Sequence, residues 1–109
     1  MTLETVRALA RDYARAVRTH WGARVHQVWL YGSAARGDWT PDSDIDILVV
    51  LDNEGSAEVE WLVATAYRMG LLERRILLQP VVMTPAHFEH LRMRERRFAL
   101  DILREGVAL

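Results

Sequence analysis

The 109 residues of the chain fit a single domain, residues 1–109, because one hydrophobic core usually serves about 100 to 150 residues. Half of the residues are hydrophobic and 27% are charged, a balance that excludes a disordered chain and predicts a packed core. Cysteine is absent, which excludes disulfides and thiolate metal sites, and the formal net charge of -1 does not favour nucleic acid as a partner.

The first part of the chain predicts a helix, a strand and a turn-rich segment. Apolar residues recur at helical spacing over residues 3–21, with Thr2 placed as the N-cap and Gly22 placed to end the helix. Val25–Tyr31 is rich in β-branched and aromatic side chains, which indicates a buried strand. Residues 32–43 contain glycine, proline, aspartate and serine at close intervals and are predicted to form turns.

A second strand and a second helix are predicted next. Residues 44–51 begin with alternating polar and apolar side chains and end with apolar side chains only. This pattern predicts a central strand whose start faces a cleft. A helix then runs between Ser56 and Gly70. Its sheet-covering side is predicted to consist of Val59, Leu62, Val63 and Ala66. Trp61 falls on the other side, where it either packs at the edge of the core or marks a partner surface.

The last part of the chain predicts a third strand and a helical region. Pro80 cannot donate a backbone hydrogen bond, so we expect residues 75–83 to form an edge or bulged strand with irregular pairing. Thr84 and Pro85 are placed as N-cap and first residue of a helical region that runs to about Arg104. The sum is an α+β fold, a small mixed β-sheet with helices packed on it.

Asp44 and Asp46 stand at the start of the second strand. Because strand side chains alternate, the two carboxylates project from one face about 7 Å apart, while Ile45 and Ile47 point into the core. Mg²⁺ prefers oxygen ligands and is usually held by one or two carboxylates together with substrate phosphates. The pair is a candidate magnesium site, although an Asp-x-Asp pair alone is as typical of turn-forming residues.

Gly32 and Ser33 follow the first strand and precede residues 34–37, which suit a helical turn with outward-facing amides. Glycine lets the backbone approach a ligand closely, and the Ser33 hydroxyl can donate one more hydrogen bond to a phosphate oxygen. A lone Gly-Ser pair is most often only a turn. The combination is far more specific, because ten residues separate it from Asp44-Ile45-Asp46 and each motif lies at a strand end.

The combined motif resembles the signature of the minimal nucleotidyltransferases, the smallest members of the DNA polymerase β-like superfamily. Two segments carry the resemblance, Leu-Tyr-Gly-Ser-Ala-Ala-Arg-Gly-Asp at residues 30–38 and Pro-Asp-Ser-Asp-Ile-Asp-Ile-Leu-Val at residues 41–49. A weaker likeness at residues 103–107 extends it over nearly the whole chain. The resemblance implies the polymerase β-like nucleotidyltransferase fold.

The resemblance also implies roles for four residues. Asp44 and Asp46 are then catalytic residues that bind Mg²⁺, and Gly32 and Ser33 hold the phosphates of a nucleoside triphosphate, with Ser33 also counted as catalytic. ATP is the expected substrate and AMP the transferred group. Phosphoryl chemistry asks a protein mainly for positioning and electrostatic stabilisation, so a domain of this size suffices if the acceptor arrives on another molecule.

Arg36 and Ser43 complete the predicted nucleotide site. The guanidinium of Arg36 suits phosphate oxygens, but it suits equally an ion pair with Asp38 or Asp42 that fixes the loop. Both interpretations of Arg36 stay open at the level of the sequence.

The sequence departs from the family pattern at one place. Active members of the superfamily carry a third carboxylate on the neighbouring strand, where this chain reads Leu-Leu-Gln-Pro-Val at residues 77–81. Gln79 is neutral, and Glu73, the nearest acid, sits at the expected strand entrance. A general base is therefore not assigned.

The partner expected from the resemblance is a helical HEPN-domain protein, the toxin of a toxin-antitoxin module in which this chain is the antitoxin. AMPylation of a hydroxyl on that toxin is the favoured reaction. The alternative is a binding module with weakened catalysis that neutralises the HEPN protein by masking it. Modification of a small antibiotic is less favoured, because there is no room for a second pocket-forming domain.

The chain shows no run of about 18 apolar residues and no leader pattern in its first eleven residues. We therefore expect no membrane association and a cytoplasmic location. The oligomeric state stays open.

Overall fold

The computed structural model describes residues 2–109; Met1, the first residue of the predicted domain, lies outside them. A four-stranded mixed sheet is packed between helices on both faces, which confirms the α+β class. The helices are α1 (Leu3–Trp21), α2 (Ser33–Arg36), α3 (Ser56–Ala66), α4 (Pro85–Met93) and α5 (Arg97–Glu105). The strands are β1 (Val25–Tyr31), β2 (Ile45–Leu51), β3 (Leu78–Met83) and β4 (Val107–Ala108). No helix within residues 2–109 is both long and apolar enough to cross a membrane.

The sheet has the strand order β3-β2-β1-β4. β2 pairs antiparallel with β1 and parallel with β3, and β4 pairs antiparallel with the other side of β1. The register places Asp46 of β2 directly between Tyr31 of β1 and Gln79 of β3. Because directly paired residues of adjacent strands point to the same face, these three side chains share one face of the sheet.

Two hydrophobic layers cover the sheet, one on each face. Helices α1 and α3 pack on the face that holds Ile45, Ile47 and Val49. Helices α4 and α5 pack on the opposite face, over Leu48 and Val50. β2 is therefore apolar along most of its length and polar only where it begins, which is where the covering layer ends.

Local signals located the first two elements correctly. The helix α1 spans the predicted residues, Thr2 caps it by accepting a 3.1 Å hydrogen bond from the amide of Thr5, and Gly22 ends it with φ +58°. β1 has the predicted bounds, and β2 begins one residue later than expected, at Ile45. The intervening segment returns the chain so that β2 runs antiparallel to β1.

The predicted face of α3 was wrong in part. Leu62 and Ala66 are buried, but Val59 and Val63 are exposed, and the polar residues Glu58 and Thr65 are buried instead. Apolar residues occur on most sides of this helix, so spacing alone could not select the face.

The end of α3 and the position of Trp61 also differ from simple expectation. The helix does not stop at Gly70; it widens into a π-helical segment, Tyr67–Leu72, that contains Gly70. Trp61 packs at the edge of the core, with its ring 5.7 Å from that of Trp21, so ordinary edge burial is the correct interpretation.

The third strand lies at the edge of the sheet, as Pro80 indicated, but it is shorter than predicted and its pairing is regular. Pro80 stands opposite Ile47 without a register shift. The ladder with β2 is unbroken because the nitrogen of Pro80 faces the open side of the edge, where no hydrogen bond to β2 is lost.

The C-terminal region is interrupted, and its last residues form a strand. α4 and α5 are separated at Glu95, which has φ +54°. After Gly106, β4 pairs with Trp29 and Leu30 of β1 and closes that side of the sheet. Two residues of strand are too few to give a periodic signal, so the sequence did not reveal it.

Candidate active site

The predicted acidic pair lies where β2 emerges from between the helical layers. Asp44 and Asp46 are half-buried, whereas Ile45 and Ile47 are fully buried on the opposite face. Asp46 shares its face of the sheet with Tyr31 and Gln79, as strand alternation predicted. Asp44 precedes the first residue of β2, and its charge acts on the carboxyl of Asp46.

The carboxylate of Asp46 packs against the backbone of Gly32. Gly32 has φ +74°, and a Cβ added there would overlap a carboxylate oxygen of Asp46. A side chain at residue 32 is thus disfavoured twice, by the backbone conformation and by the space that the acid occupies. The fold brings the glycine-serine motif and the acidic pair together, as the combined motif predicted.

Residues 33–36 form a single helical turn, α2, directly after Gly32. The carbonyl of Gly32 accepts hydrogen bonds of 3.1 Å from the amides of Ala35 and Arg36, and the carbonyl of Ser33 accepts from the amides of Gly37 and Asp38 at 2.9 and 3.1 Å. The first amides of a helical turn have no partner within it. They are available to an anion beside the acidic pair, which matches the phosphate role given to Gly32 and Ser33.

A contact from helix α1 that supports this turn was not predicted. Arg7, on α1, donates hydrogen bonds from Nε to the carbonyl of Ala34 at 3.0 Å and from its terminal nitrogen to the carbonyl of Ala35 at 2.9 Å. Arg7 is one of 14 arginines and has no local motif around it, so the sequence offered no signal that separates it from the others.

The electrostatic environment of Asp46 is unfavourable to its charge. Burial raises the pKa of the Asp46 carboxyl, the negative charge of Asp44 raises it further, and only the guanidinium of Arg36 opposes the shift. Burial, with a smaller effect of the Asp46 charge, raises the pKa of the neighbouring Tyr31 hydroxyl to about 12. Two crowded acids at a helix-turn N-terminus are a suitable place for a cation and a phosphate.

Arg36 follows the loop-fixing interpretation in this structure. Its guanidinium lies 3.5 Å from a carboxylate oxygen of Asp38 and 3.8 Å from one of Glu105. Both pairs are partly exposed, so each contributes little by itself. The Arg36 guanidinium nevertheless borders the cleft that contains Gly32, and its charge acts to lower the pKa of Asp46.

Ser43 lies in the loop before β2, where its hydroxyl is 3.3 Å from the amide of Thr40 and 3.1 Å from the hydroxyl of Thr40. The indole of Trp39 donates a 3.1 Å hydrogen bond to the carbonyl of Ser43 and packs against the core. These contacts shape the approach to Asp44. The nucleotide-binding roles of Ser43 and Arg36 stay predictions.

The place of the third acid is filled by Gln79, which pairs in register with Asp46. Glu73 is five residues before β3 and lies 3.3 Å from the guanidinium of Arg68 on the surface. Within residues 2–109, no group of three His, Cys, Asp or Glu side chains is arranged to hold a metal. The acidic site consists of two carboxylates.

The sequence model described as "Nucleotidyltransferase domain" matches residues 10–102. The chain belongs to this family. The match spans every residue of the two motifs and the elements that carry them. Nucleotidyltransferases of this kind use a nucleoside triphosphate and a divalent metal, for which the acidic pair and the turn provide oxygen ligands and amide donors.

Similar proteins agree with the family assignment. A Methanocaldococcus jannaschii protein named "Putative protein adenylyltransferase" is 27% identical over 99 residues, which cover 91% of this chain and 92% of that protein. A solved "putative minimal nucleotidyltransferase" superimposes with a TM-score of 0.60 at 26% identity, covering 100% of this chain and 97% of that chain. A "putative nucleotidyltransferase" from Sulfolobus solfataricus has a similar fold, with a TM-score of 0.52 at 23% identity over 93% of this chain and 76% of that chain.

These likenesses confirm the resemblance to minimal nucleotidyltransferases of the polymerase β-like superfamily and the fold that it implied.

Proposed function

We propose that this nucleotidyltransferase transfers AMP from ATP to a hydroxyl group of a protein, with Asp44 and Asp46 binding Mg²⁺. One observation carries the proposal: the Asp46 carboxylate lies against Gly32, so the acidic pair and the phosphate-binding turn form one continuous site. The donors fit magnesium, because both side chains offer only oxygen ligands. A bound magnesium ion would neutralise charge on the phosphates during transfer.

The residues of the chain have separate tasks in this reaction. The amides at Gly32 and Ser33 hold the triphosphate, and Arg36 adds a positive charge beside it after releasing Asp38 and Glu105. The acceptor oxygen forms a bond to the α-phosphorus, the bond from that phosphorus to the bridging oxygen breaks, and pyrophosphate leaves. The hydroxyl proton passes to solvent.

A protein acceptor is supported by a relative. The Methanocaldococcus jannaschii protein whose name describes protein adenylylation aligns over nearly the whole of both chains. We propose as acceptor a HEPN-domain partner protein, which this chain inactivates as the antitoxin of a toxin-antitoxin module.

The test is transfer of label from α-labelled ATP to the purified HEPN protein in the presence of Mg²⁺. The protein should become labelled, and Asp44→Asn should reduce labelling at least about 100-fold because one of two cation ligands is lost. Asp42→Asn is the matched control, since Asp42 is exposed and lies only two residues away. Equal labelling by the wild type and by Asp44→Asn would exclude this site.

A second candidate function is favoured by Gln79, which occupies the position of the third acid beside Asp46. The chain would then neutralise its HEPN partner by covering it, without transfer. The double variant Asp44→Asn, Asp46→Asn separates the two functions. Neutralisation that survives the double substitution supports masking, whereas neutralisation that disappears while the two proteins still bind supports chemistry.

A further inference from the structure

Arg7 connects the first helix to the phosphate-binding turn. Its guanidinium donates to two consecutive carbonyls, those of Ala34 and Ala35, at 3.0 and 2.9 Å. The partners are 27 and 28 residues away along the chain, and the contact is partly buried. A planar guanidinium can satisfy two neighbouring acceptors at once, which the single ammonium of lysine cannot do with the same geometry.

The turn needs this external donor because it is only four residues long. The carbonyls of Gly32 and Ser33 receive backbone amides, but Gly37, with φ +97°, turns the chain away before later amides can reach the next two carbonyls. Arg7 supplies the missing donors. Its positive charge also lies at the C-terminal end of the turn, where a cation stabilises helical backbone.

The support itself is rigid. Val6, Leu9 and Ala10 on either side of Arg7 are buried in the core, and Thr2 caps the start of the helix. The backbone of α1 at Arg7 is therefore anchored to the core, and the two hydrogen bonds hold the guanidinium against the turn. It contacts the end of the turn opposite to Gly32, so it does not itself occupy the predicted phosphate position.

We infer that Arg7 is a positioning residue that holds the Gly32–Ser33 amides in the orientation required for the triphosphate. This inference rests on the proposed function, because it assigns Arg7 to the binding step of the same reaction. Without Arg7 the turn would fray from its C-terminal end, and its amides would lose their common direction towards the site.

The first test compares Arg7→Ala, Arg7→Lys and the control Arg11→Ala. Arg11 is exposed one turn further along α1 and, within residues 2–109, has no side-chain hydrogen bond or ion pair. We expect Arg7→Ala to weaken Mg-ATP binding about tenfold or more, with kcat at saturating ATP changed less than about threefold. Arg7→Lys should lie between, because it keeps the charge and loses the bidentate contact.

Chemical rescue gives a readout that a general loss of stability would not. Methylguanidinium added to Arg7→Ala should restore most of the lost ATP affinity by filling the vacated position, and it should leave Arg11→Ala unchanged. Thermal denaturation of each variant identifies any protein that is not folded, and in that case Arg7→Lys alone decides the result.

Hydrogen exchange in the nucleotide-free protein separates this inference from the proposed function. The amides of residues 35–38, which are hydrogen-bonded within the turn, should exchange faster in Arg7→Ala than in the wild type or Arg11→Ala. A wild type that binds no Mg-ATP would contradict the proposed function. A wild type that binds it, together with unchanged exchange or unchanged affinity in Arg7→Ala, would overturn the role of Arg7 alone.

Discussion

The charge of Asp46 suits a cation-binding site but is unfavourable in the folded protein. Its carboxylate is half-buried, packs against Gly32 and shares its surroundings with the charge of Asp44. Both burial and the neighbouring charge raise its pKa, which means that the folded state disfavours the ionised form. A bound cation would remove this penalty. The metal-free protein keeps it, as is common where a site is arranged for a ligand.

We therefore expect Asp46→Asn to stabilise the metal-free protein while abolishing transfer. The amide has nearly the same shape and no charge, so the melting temperature in EDTA at pH 7 should rise by about 2 to 4 °C. Asp42→Asn, in the exposed loop, should leave it unchanged. Thermal denaturation followed by circular dichroism measures both. A melting temperature lowered by Asp46→Asn would show that the carboxylate is stabilising as it stands.

Helices and strands that depend on signals close together in the sequence were predicted correctly. α1 and β1 were located correctly because a cap, a terminating glycine and a clear period are local signals. The same applies to Asp46, since strand alternation alone places it on the face opposite to Ile45 and Ile47. The combination of motifs indicated that Gly32-Ser33 and the acidic pair belong to one site, but the direct packing of Asp46 against Gly32 was not predicted.

Elements decided by distant contacts were less predictable. The face of α3 depends on which side meets the sheet, and a helix that is apolar on most sides carries no marker for it. Arg7 is separated from its two hydrogen-bond acceptors by 27 and 28 positions along the chain. No sequence pattern near Arg7 indicates these contacts. The break between α4 and α5 depends on one left-handed residue, Glu95, which is not a residue type that usually favours this conformation.

Leu62 and Val63 test the observed orientation of α3. Leu62 is 1% exposed and Val63 is 50% exposed, although they are adjacent and both were expected in the core. Leu62→Ala should lower the free energy of unfolding by about 2 to 4 kcal/mol, and Val63→Ala should change it by less than about 0.5 kcal/mol. Urea denaturation of the two variants measures the difference. Equal losses would mean that the helix packs as the spacing predicted.

The whole molecule has an unusual set of titrating groups at alkaline pH. All 14 basic side chains are arginine, which stays charged, and there is no cysteine, so tyrosine is the side-chain type in this chain whose ordinary pKa, about 10, lies in the alkaline range. Tyr13 lies in the core and links α1 to α3 by donating a 2.8 Å hydrogen bond to the carbonyl of Leu62. Burial raises its pKa above the ordinary value, whereas Tyr67 is half exposed. Alkaline unfolding of this protein therefore reports on its buried tyrosines.

Tyr13→Phe should change both the level and the slope of stability with pH. Near pH 8 it should cost about 1 to 2 kcal/mol, because the carbonyl of Leu62 loses its donor. The unfolded phenol ionises near pH 10 and the buried one ionises at higher pH, so the contribution of Tyr13 is complete below about pH 10 and is lost as the pH rises above it. The gap between wild type and Tyr13→Phe should thus shrink by about 1.4 kcal/mol per pH unit above pH 10. Urea denaturation at pH 8, 10 and 11 measures it, with Tyr67→Phe as the exposed control, and a gap that stays constant across this range would show that the Tyr13 hydroxyl ionises as easily in the folded protein as in the unfolded chain.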